Sequence, residues 1–158
     1  MSRLSDFLNE DSNYTKDKEG IIYYRNSQNK KHRRNGPAVI YPDGDYEYWE
    51  NGKPHRRNGP AIWHFNGDHF EWRIKGLLHR KNGPAFKDTT GKIEYWQNGE
   101  KHNDEGPAEI FPNGTKAYYI KGKLHNDEGP AVVHPNGITE YWLKGRPLTK
   151  EQWEKKKK

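Results

Sequence analysis

Apolar residues along this chain fall in short runs separated by polar turns, and the alternation has period two rather than the spacing of a helix. GPAVIY (36–41) is a β-prone run behind a proline, and YEYWE (46–50) alternates its side chains as a half-buried strand does. PDGD (42–45) lies between them with the Asp-Gly signal of a tight hairpin, and NGKP (51–54) follows with Asn-Gly. This predicts one antiparallel hairpin with a tight turn at each end.

The same phrase then recurs. His32, His55, His79, His102 and His125 stand at intervals of 23, 24, 23 and 23, and Gly-Pro-Ala follows each at a constant offset. A fixed period in this range marks a repeat architecture. Glycines recur in both turns: Gly44, Gly67, Gly91, Gly114 and Gly137 in the first, Gly52, Gly76, Gly99, Gly122 and Gly145 in the second. Copy two carries one extra residue between Gly67 and Gly76, expected as a β-bulge. GIIYYRN (20–26) reads as the second strand of an incomplete leading copy.

Aligning the copies gives columns. Four residues before each second-turn glycine stand Tyr48, Trp72, Tyr95, Tyr118 and Tyr141. On the opposite face, three residues before it, are Trp49, Arg73, Trp96, Tyr119 and Trp142. Two residues earlier on that face come Glu47, Glu71, Glu94, Ala117 and Glu140. Ala38, Ala61, Ala85, Ala108 and Ala131 mark where backbones approach too closely for larger groups, with Ile40, Trp63, Lys87, Ile110 and Val133 two residues on.

No hairpin of this size buries its own face, so stability has to come from stacking neighbours. The predicted fold is all-β: an elongated antiparallel hairpin solenoid of about eleven short strands, on the order of 50 Å long at ~4.8 Å per strand. Residues 1–19 are expected to form an amino-terminal cap with a short helix at SRLSDFLN (2–9), residues 20–147 the array, and residues 148–158 a capping helix and lysine tail. Thr149 and Gln152 have capping-box spacing.

Composition sharpens this picture. Only 30% of the 158 residues are hydrophobic and 32% are charged, which alone would suggest disorder, but 13% are aromatic. Order is therefore expected from ladders of rings. The chain has no cysteine, no apolar stretch of membrane-spanning length and no secretion signal at its start, so a cytoplasmic protein without disulfides is expected.

Candidate chemistry is sparse. Successive ladder histidines lie two strands apart, ~9–10 Å, too far for two to share a zinc ion. Each is expected instead to tie a turn to its neighbour by a hydrogen bond, and no metal or cofactor is expected. The Glu column reads as a solvated sheet face, and no catalytic constellation appears, so the chain is not expected to be an enzyme.

Charge is distributed unevenly. Residues 30–101 carry 14 Lys/Arg against 9 Asp/Glu, and residues 102–147 carry 5 against 6. The change is concentrated just after each ladder histidine: Arg33-Arg34, Arg56-Arg57 and Arg80-Lys81, then Asn103-Asp104 and Asn126-Asp127, each of the last two followed by Glu. The six basic residues are expected to line one edge as a stripe that ends acidic. Arg33, Arg34, Arg56, Arg57, Arg80 and Lys81, with Trp49, Trp96, Tyr119 and Trp142 as exposed anchors, form the candidate binding set.

A 23-residue unit such as YEYWENGKPHRRNGPAIWHFNGD (46–68) resembles the MORN repeat. It lacks the usual glycine between Tyr and Trp, and His55 is followed by Arg-Arg-Asn-Gly. In this it is similar to the MORN-variant repeats of bacterial and tailed-phage proteins, some of them antitoxin-like, whose phage members often end in a Leu-Thr-x-Glu helix like LTKEQW (148–153). The resemblance spans residues 20–153. It implies a hairpin-repeat binding module, phage- or bacteria-encoded, that sequesters or inhibits a host or toxin protein, in the host cytoplasm if phage-encoded. A bipolar surface suits a protein partner. The alternatives are single-stranded nucleic acid along the basic stripe, self-association through a sheet face or edge and, more weakly, an anionic membrane.

Overall fold

The computed structural model describes residues 14–156. The expected helix at 2–9 lies outside the described residues. The chain divides into two units, 1–77 and 78–158, at the junction between the second turn of copy two and His79.

The protein is mostly β, an antiparallel sheet of many strands with one short helix. In the first unit, strands Tyr14–Lys16, Ile22–Tyr24, Val39–Ile40, Tyr46–Glu47, Ile62–His64 and His69–Glu71 pair in chain order. In the second, Phe86–Lys87, Ile93–Glu94, Glu109–Ile110, Lys116–Ala117, Val132–Val133, Thr139–Leu143 and Arg146–Leu148 do the same. The incomplete leading copy is present, with Tyr24 in the aromatic column: its amide donates to the Ala38 carbonyl and its carbonyl accepts from His32. Its first strand, Tyr14–Lys16, was not expected.

The strand count differs from expectation, 21 among the described residues rather than about eleven. The cause is local. In copies one to four the second strand breaks at the aromatic-column residue, so Tyr48 separates Tyr46–Glu47 from Trp49–Glu50. The Tyr48 amide bonds forward to Ala61, while its carbonyl accepts from His55 within its own hairpin. The chain exchanges its inter-copy partner for a small ladder with Lys53–Pro54. Trp96–Gln97 with Glu100–Lys101 and Tyr119–Ile120 with Lys123–Leu124 repeat this arrangement. In copy five the strand Thr139–Leu143 runs unbroken.

The extra residue of copy two does not form a strand bulge. His64 and His69 pair directly, and a 3-10 turn at Phe65–Gly67 absorbs the residue. Phe65 adopts φ +55° with its ring exposed. Prolines fill the corresponding position in copies one, four and five.

The core follows the alanine column. All five alanines are fully buried, their amides donating to the following strand, while the carbonyls of Ala38, Ala61, Ala108 and Ala131 accept from the preceding one. At the carboxyl end the helix Lys150–Lys156 is held by the expected capping box: the Gln152 amide donates to Thr149 Oγ1 and the Thr149 amide to Gln152 Oε1. Trp153 is buried against Tyr141, ring centroids 5.3 Å apart, and its indole N–H donates to the Asn126 carbonyl.

Candidate functional site

Every ladder histidine does the same thing. The Nδ1 atoms of His32, His55, His79, His102 and His125 accept the backbone N–H of Asn51, Lys75, Asn98, Lys121 and Lys144, at 2.9 to 3.2 Å. Each donor belongs to the second turn of the next hairpin and has φ near +50°. Asn-Gly or Lys-Gly turns of this kind point an amide away from the ladder, and the imidazole satisfies it. Accepting through Nδ1 leaves the proton on Nε2. These rings therefore fix register between copies. In copies four and five Nε2 lies 3.1 and 2.9 Å from the carboxylates of Asp104 and Asp127.

The two residues after each histidine have different roles. At the first, Arg33, Arg56 and Arg80 fold back and donate to the carbonyls of Pro37, Pro60 and Pro84. The Arg33 guanidinium lies 3.8 Å from the Tyr24 ring centroid, and that of Arg56 lies 4.0 Å from Tyr48. Asn103 and Asn126 make the same bond to Pro107 and Pro130, at 3.0 and 2.9 Å. The second position points outward in every copy: Arg34, Arg57 and Lys81, then Asp104 and Asp127, are exposed. Arg33, Arg56 and Arg80 of the expected basic stripe thus donate to the chain's own carbonyls.

The expected anchors differ as well. Trp49, Trp96 and Trp142 are half-buried, and each indole N–H donates to the glutamate two residues earlier, Glu47, Glu94 or Glu140, at 2.7 to 3.0 Å. Arg73 replaces the indole in copy two and bonds Glu71. Tyr119 is half-buried with Lys101 Nζ 5.3 Å from its ring. Strand alternation places these residues on the face opposite Tyr46 and Tyr48, over which Arg56 lies. The tryptophans and the loop arginines are not brought together; the Trp face is met instead by Lys31, 4.5 Å from the Trp49 ring, and by Lys101.

Nor is the glutamate face solvated throughout. Glu47 and Glu94 are buried, as is Glu109, which sequence reasoning did not single out. Glu47 accepts from the Tyr41 hydroxyl at 2.8 Å, the Trp49 indole at 2.7 Å and Lys31 Nζ at 3.0 Å. Burial opposes its ionisation, but these donors together hold its carboxyl below the usual carboxylate range. Burial and the bond to Glu47 push the Tyr41 phenol up.

Between copies three and four, Glu94 and Glu109 stand directly opposite each other across adjacent strands. Lys92 contacts them at 2.7 and 2.8 Å, and Lys101 contacts Glu94 at 3.2 Å and bonds Glu109 closely. Glu109 occupies a place held by Val39 and Val132 in other copies, and it faces Ala117, where the Glu column is interrupted. Burial disfavours the Glu94 carboxylate, yet Lys92, Trp96 and Lys101 hold its carboxyl below the usual range. Burial likewise works against the Lys92 ammonium, but the two carboxylates raise it above the ordinary lysine range.

Between the loops of the second unit lie two grooves. One, about 630 Å³, has Arg80 and Lys81 on one wall, Asp104 and Glu105 on the other, and Tyr95 within it. The next, about 760 Å³, has Asp104 and Glu105 facing Asp127 and Glu128 across Tyr118, Ile120 and Val133. In the first unit Tyr46, Trp63 and Phe70, on three neighbouring strands, form a stacked aromatic row with centroids 6.3 and 6.5 Å apart.

Among the described residues no group of three or more His, Asp or Glu is placed to hold a metal ion, and no helix is long and apolar enough to cross a membrane. No protein-family model matches this chain, and no curated protein matches it significantly.

Proposed function

We propose that this chain is a non-enzymatic binding protein whose histidine loops dock another protein. One observation carries the reading. The fold-forming part of each loop is the same in all five copies, including a side-chain donor to the proline carbonyl supplied by arginine or asparagine. The outward position carries Arg34, Arg57 and Lys81 in three copies and Asp104 and Asp127 in two, so its charge is not dictated by the frame. Charge of both signs on a repeated scaffold gives orientation toward a partner with complementary patches. The non-enzymatic reading is supported by the buried glutamates, each held by several donors rather than poised to transfer a proton. Membership of the MORN-variant repeats, a phage or bacterial origin and inhibition of a host or toxin protein in the cytoplasm belong to this proposal through the resemblance of the repeat unit.

The test is a tagged pull-down from the native host. A stoichiometric protein is expected, weakened by added salt and released when Arg34, Arg57 and Lys81, or Asp104 and Asp127, are made neutral. Recovery of no such protein overturns the reading.

A second reading, single-stranded nucleic acid, is favoured by the Tyr46–Trp63–Phe70 row, since bases stack on such rings. It predicts a gel shift with mixed oligonucleotides that weakens steeply with salt and on Trp63→Ala. No shift at low salt removes it.

A further inference from the structure

The aromatic column is treated in two ways along the chain. In the incomplete leading copy and copy one, the Tyr24 and Tyr48 rings are each covered by a guanidinium from the following loop, at 3.8 and 4.0 Å. That guanidinium also donates to a proline carbonyl and, in the next loop, to the Tyr46 hydroxyl at 3.3 Å. In copies four and five the loop residue is Asn103 or Asn126. The amide keeps the proline bond, but its side chain is three atoms shorter than that of arginine. Among the described residues no cation of the chain lies over the Tyr118 ring. A groove of about 760 Å³ is found there.

The lining of that groove has the electrostatics of a cation site. Asp104 and Glu105 stand on one wall and Asp127 and Glu128 on the other, with no lysine or arginine between them. Lys116, two residues before Tyr118, is exposed and lies outside the lining. Successive loops are two strand spacings apart, ~9–10 Å, room for one extended side chain. Tyr118, Ile120 and Val133 offer an aromatic and aliphatic wall to its stem. The neighbouring groove at Tyr95 is flanked by the chain's own Arg80 and Lys81. The Tyr118 groove has no such neighbour among its lining residues.

We propose that the Tyr118 groove receives an arginine side chain from a protein partner, its guanidinium over the Tyr118 ring and between the two acidic walls. This is the arrangement that Arg33 and Arg56 make within the chain, with the cation supplied from outside. The proposal rests on the reading of the chain as a protein-binding module and names the chemistry of what one of its loops recognises. Arginine is specified over lysine because a planar guanidinium stacks on a ring while donating to carboxylates at its edge.

Fluorescein-labelled hexa-arginine and hexa-lysine peptides, titrated into the full-length protein at low salt and read by anisotropy, test the groove. Hexa-arginine is expected to bind at least tenfold more tightly than hexa-lysine. Asn126→Arg, which places the chain's own guanidinium where Arg33 and Arg56 have theirs, is expected to weaken hexa-arginine binding at least tenfold with an unchanged circular dichroism spectrum. Asp127→Asn with Glu128→Gln, on exposed positions, gives the same loss without adding bulk and covers the case in which Asn126→Arg fails to fold. No binding of hexa-arginine, equal binding of the two peptides, or binding unchanged in both variants overturns the proposal. If hexa-arginine is not bound but a host protein still co-purifies, the groove assignment fails alone. If hexa-arginine is bound and no host protein co-purifies, the protein-partner reading fails alone.

Discussion

The most demanding test of the fold's energetics lies in the Glu94–Glu109 pair. Both carboxylates are nearly buried, with side chains 9% and 4% exposed, and they are paired directly across adjacent strands. Such residues have Cβ atoms only ~5 Å apart, where like charges repel. Two ammonium groups bridge them. Lys101→Leu removes one, and leucine is already accommodated at the same place in the repeat as Leu78 and Leu124. Two carboxylates then share Lys92 alone. Breaking a buried ion pair from one side typically costs 3–5 kcal/mol, and the partial exposure of Lys101 reduces this to about 2–3 kcal/mol. With a urea m-value of ~2 kcal/mol/M, the midpoint falls by about 1–1.5 M, readable from tryptophan fluorescence. Glu109→Val, which installs the residue that copies one and five carry as Val39 and Val132, leaves two lysines that reach water and costs less than ~1 kcal/mol. The double variant recovers most of the loss, because one carboxylate again faces one ammonium. The reasoning is refuted if Lys101→Leu stays within ~0.5 kcal/mol of the unaltered protein, or if Glu109→Val is the more damaging change.

Other outcomes follow from the same contacts. His32→Phe keeps a ring but orphans the Asn51 amide, and is expected to cost about 1–3 kcal/mol by urea unfolding; a neutral result removes the register role assigned to the ladder. Glu47 and Glu94 have folded carboxyls held below the ordinary range, so their stabilisation is complete above that range and is lost as pH falls through the lower folded values. The urea midpoint should therefore drop on acidification below about pH 4, and less so in Glu47→Gln; an identical acid profile in that variant contradicts the assignment. Phe65→Gly relieves a left-handed conformation and is expected to raise stability by about 1 kcal/mol, whereas a loss shows that the exposed ring contributes packing.

Legibility in the sequence followed periodicity. The histidine bonds, the buried alanines and the Thr149–Gln152 cap were all accessible, because each depends on spacing within or between copies. The fate of Arg33 and Arg56 was not, since an arginine beside a turn reads as outward charge until a ring lies under it. A signal did exist: that column holds arginine in three copies and asparagine in two, and both are donors able to reach one carbonyl. The buried glutamates had a signal too. Glu-x-Trp in a strand puts carboxylate and indole on one face, so Glu47 and Glu94 were adjacent to donors by construction. Glu109 had none, because it stands outside the Glu column and only the inter-strand register places it opposite Glu94. Phe65 was equally hidden, since its conformation arises from one added residue in a turn.

The loop chemistry also explains how one chain carries opposite charges on a single frame. Two contacts recur in every loop, an acceptor for the next turn's amide and a donor for the proline carbonyl, and in the loops of Arg33 and Arg56 a guanidinium also lies against the column ring. Arg33 and Arg56 supply the proline bond and the ring contact together. Asparagine supplies only the proline bond. The ring beneath it then lacks its cover, and the histidine Nε2 lies against an outward aspartate instead. In copies four and five, loss of the internal cation and gain of external acid thus occur in the same loop. If the acidic residues served solubility alone, they would have no reason to accompany the arginine-to-asparagine exchange. A site that takes its cation from outside requires both changes at once: the ring must be vacated and its surroundings made negative. The coincidence of the two in each loop, Asn103 with Asp104 and Glu105, Asn126 with Asp127 and Glu128, is the reason to look for the partner's charge at Tyr118 rather than along the basic copies.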